Sequence, residues 1–148
     1  MAHLGTARGP DVQTGPASDR VSLTGLGSRA LIVTSENATF ARTLMPEGRV
    51  TAPVRLSAPG DSDTFQVASA ASRKGAQVAA WRNSKCGLSV ARSSDPTAQA
   101  WSAPRTLTAI TSPSGKGGIE NPSVAINSAG SAIVGWQGAG QTWVVAVP

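Results

Sequence analysis

Polar side chains with the means to do chemistry collect in a few turns of this chain. Arg82, Asn83 and Lys85 lie in one turn, with Ser84 and the single cysteine, Cys86. Gln137 and Gln141 flank a corresponding turn near the end of the sequence, and Asp61, Asp63, Lys116, Glu120 and Asn121 lie in connecting stretches. Such a mixture of amides, carboxylates and cations suits hydrogen bonding to sugar hydroxyls or another polar ligand. It does not suit catalysis. The only histidine, His3, lies in a terminal segment, so no histidine-based catalytic pair and no multi-histidine metal site are expected, and no catalytic residue is singled out. No metal site is expected either: Asp61 and Asp63 make an Asp-x-Asp pair, and two carboxylates do not fill a calcium shell of six to eight oxygens. A single cysteine excludes an intrachain disulfide and a cysteine-based zinc site, so Cys86 beside Lys85 reads as a packed bystander. Nothing points to a cofactor.

The net charge of +5 would favour an anionic partner, but the arginines are scattered along the chain. Only Arg73-Lys74 and the Arg82 to Lys85 turn bring positive charges close together, so nucleic-acid binding is not the expected role. No apolar run approaches the roughly 20 residues that span a bilayer, and no membrane partner is expected. The first 20 residues hold no apolar core of the signal-peptide kind. Asn37-Ala38-Thr39 is a glycosylation sequon, relevant in a eukaryotic secretory setting.

The elements that would position these groups are short strands. Ala, Ser, Thr and Val dominate, with 16 Gly and 10 Pro, which favours strands joined by tight turns. The order of runs repeats. Thr51-Ala52-Pro53-Val54-Arg55-Leu56-Ser57-Ala58 returns as Trp101-Ser102-Ala103-Pro104-Arg105-Thr106-Leu107-Thr108-Ala109. Turn glycines recur at Gly27, Gly75 and Gly130, tryptophans at Trp81 and Trp136, and arginines at Arg42 and Arg92. On these landmarks residues 1–18 form a loose leader with a potential edge strand near Asp11 to Thr14. Residues 19–148 form one domain of three units, about 19–60, 61–112 and 113–148. Strands are predicted at 20–23, 29–34, 39–44 and 50–58, then at 65–69, 76–81, 88–92 and 101–108, then at 122–126, 131–136 and 143–147. The third unit lacks a fourth strand. Four short strands in a repeat of about 50 residues predict an all-β chain of β-propeller blades. About two and three-quarter blades are present, so the ring would be part of a larger one or be completed between copies, a homodimer giving six. Matched strand-end positions make Trp81 and Trp136 packing residues rather than stacking platforms.

The segment Val90 to Pro104 resembles the Asp-box repeat of sialidase-like propellers, whose pattern is Ser-x-Asp-x-Gly-x-Thr-Trp followed by Ser-x-Pro and Leu. Ser93, Asp95 and Trp101 match, as do Ser102, Pro104 and Leu107; Thr97 stands in the glycine position and one extra residue precedes the tryptophan. The resemblance implies that Ser93, Asp95 and Trp101 are scaffold, on the side away from a ligand face, and that the protein is exported and bacterial. It also implies what an active member needs: a Tyr nucleophile with its Glu, an Asp acid/base and an arginine triad. With no Tyr, and with Arg42 and Arg92 repeat-equivalent, glycosidase activity is not expected of this chain. The expected role is a non-catalytic binding or scaffold module, with glycan recognition at Arg82, Asn83, Lys85, Glu120, Asn121, Gln137 and Gln141. The alternative is a fragment of a sialidase-like hydrolase, inactive in isolation. A β-sandwich is disfavoured by the ordered recurrence of four landmarks.

Overall fold

A computed structural model describes residues 20–35, 37–62, 64–108, 119–138 and 140–147. The leader with its potential edge strand, Asp63, and Lys116 lie outside the described residues. Every described element is a strand, and the strands form three separate antiparallel sheets. The first sheet holds β1 (Arg20–Leu26), β2 (Arg29–Ser35), β3 (Thr39–Leu44) and β4 (Val54–Arg55) in sequence order. The middle sheet holds β5 (Phe65–Ala71), β6 (Gln77–Arg82), β7 (Leu88–Ser93) and β8 (Arg105–Thr108), again in order. The third holds β9 (Glu120–Ile126), β10 (Ala132–Gly138) and β11 (Gln141–Val147). The all-β expectation and the sequential pairing therefore hold. The fourth strands are shorter than predicted. Pro53 and Pro104 have no N–H to give to a ladder, and only a two-residue and a four-residue strand follow them; an isolated bridge joins Leu44 to Val50.

The sheets stack face to face, with β5 lying beside both β1 and β9. Alanine fills that crowded position: Ala68, Ala70 and Ala71 are small enough for β5 to have a neighbouring sheet on each side. Two apolar layers result. Leu31, Val33, Ala41 and Leu56 of the first sheet meet Ala79, Trp81 and Ala91 on one face of the middle sheet. Val78, Ala80, Leu88 and Val90 on its other face meet Val134, Trp136 and Val147 of the third sheet. Covered on both faces, β6 is buried from Gln77 to Trp81. Its counterpart β10 alternates buried and exposed, because one face is covered and the other is not. Trp81 is fully buried and Trp136 nearly so, which places both in the layers and away from any surface platform.

Cross-strand partners share a face, and this corrects one sequence-level equivalence. Arg42 pairs with Ile32 on the outer side of the first sheet, where its guanidinium lies 5.8 Å from the Phe40 ring and donates to Thr34 Oγ1 at 3.0 Å. Arg92 pairs with Val78 and points the other way, donating to the carbonyls of Val147 (3.2 Å) and Gly130 in the third sheet. The two arginines are not equivalent. The cause is turn length. Gly27 sits in a two-residue turn closed by the Leu26–Arg29 pair, whereas Gly75 and Gly130 each end a longer turn closed by Ala71–Gln77 and Ile126–Ala132. An odd difference in turn length reverses which face the next residues occupy.

Candidate functional site

Ser93 to Trp101 build a hydrogen-bonded turn between β7 and β8. Asp95 Oδ1 accepts from the Thr97 N–H at 2.9 Å and the Thr97 hydroxyl at 2.8 Å. Its Oδ2 accepts from the N–H groups of Gln99 (2.9 Å) and Ala100 (3.1 Å). Those donors favour the ionised carboxylate, and the Thr97 backbone N–H and hydroxyl lead in holding its pKa below the ordinary 3.8. Ser93 Oγ accepts from the Asp95 N–H at 3.0 Å, and Trp101 Nε1 donates to the Ala98 carbonyl at 2.9 Å. The left-handed residue of the turn is Ala98 (φ 54°), buried and one position beyond Thr97. Every acceptor of Asp95 serves the turn, which leaves it nothing to do for a ligand.

Strand pairing places Arg82, Asn83, Lys85, Glu120, Asn121, Gln137 and Gln141 at the opposite end of the sheets. There Phe65 pairs with Arg82 and Glu120 with Gln137, and Gly138 pairs with Gln141 across the last turn. Their side chains have different fates. Asn83 turns inward: its amide donates to Ser89 Oγ at 2.9 Å and its Oδ1 accepts from the N–H groups of Lys85 and Gly87. It fixes the turn with three of its four hydrogen-bonding positions, which leaves one N–H. Arg82 lies over the Phe65 ring at 5.7 Å and donates to Cys86 Sγ at 3.2 Å. Lys85 is exposed beside an open groove of about 270 Å³ whose other walls include Pro59, Asp61, Ser84 and Thr106. Asp61 is held there by the Ser84 N–H, donated to Oδ1 at 2.9 Å. Among the described residues no group of three or more metal-ligating side chains occurs.

Asn121 and Gln137 do meet. Asn121 Nδ2 donates to Gln137 Oε1 at 3.1 Å, and the Asn121 N–H donates across the sheet gap to Gln66 Oε1 at 3.0 Å. The resulting chain of amides runs from β5 to β9 to β10. Both of its backbone members are strained. Gln66 (φ 46°) and Asn121 (φ 51°) occupy the left-handed region, at bulges where the ladder skips a residue. Holding a non-glycine residue there costs on the order of 1–3 kcal/mol. Bulges re-aim side chains and are enriched beside functional sites.

Gln66 and Phe65 are the site residues that sequence reasoning passed over. The offset of 55 residues that relates Gly75 to Gly130 and Trp81 to Trp136 also relates Gln66 to Asn121. That arithmetic would have found Gln66, because two amides recur at one place in the repeat. Phe65 is 42% exposed and carries the Arg82 guanidinium on its ring, so an aromatic surface adjoins the amides through the backbone of β5. Neither a family model nor a curated protein matches this chain.

Proposed function

We propose that the chain is a non-catalytic repeat module of the β-propeller type, and that it binds a polar ligand of saccharide class at the end where β5 and β9 begin. Each sheet is a blade in this reading, with β1, β5 and β9 innermost. Three such sheets are fewer than a ring needs, so further blades come from more repeats or from a second copy. The observation that carries the binding role is the doubled bulge. Two neighbouring sheets hold Gln66 and Asn121 in the same costly conformation at the same end, and the Gln66 side chain accepts from the Asn121 backbone N–H. Their remaining donors and acceptors, with those of Gln137, suit sugar hydroxyls, and Phe65 adds an aromatic face of the kind sugar rings pack on. The absence of tyrosine and of a histidine-based catalytic pair supports binding without turnover. Export from a bacterial cell accords with the sialidase-like resemblance.

One observation favours a second reading, a piece of a sialidase-like glycoside hydrolase that is inactive as it stands. The Asp95 turn satisfies a backbone loop with one carboxylate, as an Asp box is expected to do, despite its irregular sequence.

A labelled sample of the chain applied to a printed panel of neutral, amino and acidic glycans tests the binding role. Retention of a subset is expected, weakened about tenfold by Asn121→Ala and by Gln66→Ala, in line with losing hydrogen bonds worth about 1.4 kcal/mol. No retention on any glycan, or equal retention by the variants, overturns the role.

A further inference from the structure

At the end of the sheets away from Gln66 and Asn121, two hairpin turns meet at one groove. They are the β1–β2 turn, closed by the Leu26–Arg29 pair, and the β5–β6 turn, closed by Ala71–Gln77. The groove measures about 300 Å³ and is lined by both turns and by Pro96. Three of its lining residues are cations: Arg29 from the first sheet, and Arg73 and Lys74 from the middle one. None is acidic. Nearby carboxylates are engaged elsewhere. Asp95, next to Pro96, has its oxygens on Thr97, Gln99 and Ala100, and Glu47 lies 3.4 Å from Arg49.

Donors are available around this groove. Arg29 is half-buried, and its Nη1 donates to the Pro96 carbonyl at 3.0 Å, which fixes the guanidinium and leaves Nη2 and Nε for another acceptor. Arg73 and Lys74 are exposed, and among the described residues no hydrogen bond or ion pair engages either side chain. Ser72 also lines the groove and is 5% exposed; its Oγ accepts from the Ala76 N–H at 3.1 Å and keeps a hydroxyl proton to donate. Room for a ligand comes from glycine, since a Cβ added at Gly25 or Gly27 would meet nothing within 4 Å.

We propose that this groove binds a tetrahedral oxyanion, a phosphate or sulfate group, between the first and middle sheets. Charge selects the class. A cleft lined by one sign of charge concentrates the opposite ion, and a dianion offsets the mutual repulsion of three cations further than a carboxylate does. Hydrogen-bond geometry agrees, because a guanidinium presents paired N–H groups that match two oxygens of one such anion. The site stands on its own turns and charges and does not depend on the saccharide reading.

The test is an amide-resolved NMR titration with sodium phosphate at fixed pH, with ionic strength balanced by sodium chloride, on the wild type, Arg73→Gln and Lys74→Gln. Saturable shifts are expected at the amides of Gly27, Arg29 and Arg73 to Gly75, with none at Gln66 and Asn121. Each variant should bind about tenfold more weakly, and both positions are exposed, so their spectra elsewhere should match the wild type. Parallel titrations use sodium sulfate, glycerol phosphate and sodium acetate. Saturation by the inorganic ions alone supports a free oxyanion, and saturation by glycerol phosphate as well supports an ester; acetate should not saturate. No saturable shift with phosphate overturns the proposal. So does equal binding of acetate, and so does unchanged phosphate affinity in both variants.

Discussion

Asp95 shows how much one side chain can organise. Its two oxygens accept three backbone N–H groups and a hydroxyl, so Asp95→Asn, which turns one acceptor into a donor facing donors, should lower stability by about 1–3 kcal/mol. The pH dependence follows from the direction of its shift. A carboxylate whose folded pKa is depressed contributes stability that is complete above the unfolded value, 3.8, and is lost as the pH falls through the folded value. Melting curves of the two proteins should therefore differ most near neutral pH and converge in acid below 3.8. A gap that stayed constant into strong acid would mean that the turn does not depend on the ionised form. The local hydrogen bonding of this residue was legible in the sequence, because an Asp among turn residues has a nearby use for its oxygens. The inward turn of Asn83 was not. An amide in a polar turn looks the same in sequence whether it serves the turn or a ligand, and only the positions of Ser89 Oγ and the Lys85 and Gly87 N–H groups decide between them.

Strand order and approximate boundaries were readable because the turns are marked by glycine, proline and asparagine, while the facing of each strand was not. The glycine landmarks suggest one register for all three hairpins, yet the two-residue turn at Gly27 shifts the first sheet by a residue and sends Arg42 and Arg92 to opposite sides. Facing is a matter of parity, and parity is set by turn length, which a glycine alone does not disclose. The bulges at Gln66 and Asn121 were hidden for a related reason. A left-handed glutamine leaves no mark in composition; only its recurrence one repeat later betrays it. Position in the stack also sets what a tryptophan is worth. Trp81 ends the central β6 and is fully buried against the first sheet, while Trp143 lies on β11 at 47% exposure. Trp81→Ala should cost about 3–5 kcal/mol, and Trp143→Ala should stay near the 1 kcal/mol typical of less critical sites. Urea midpoints read the difference, and comparable losses at the two positions would contradict the assignment of the middle sheet as the core of the stack.

Sheets that touch only their neighbours give a molecule whose stability is a chain of local terms. Each of the two apolar layers joins one outer sheet to the middle one, and among the described residues no layer joins the outer sheets to each other. Loss of one outer sheet therefore removes one layer and leaves the other intact. The middle sheet can open only when both layers have gone. Amide exchange should record this as a gradient. The N–H groups of β6 and β7, paired on both sides and covered on both faces, should exchange only with global unfolding. Those of β1 and β11, at sheet edges with mostly exposed or half-buried side chains, should exchange through cheaper local openings. Hydrogen–deuterium exchange followed by peptide mass spectrometry resolves the two groups. Uniform protection across all three sheets would mean that the layers form and break as one unit, and that the stack is more cooperative than its nearest-neighbour contacts imply.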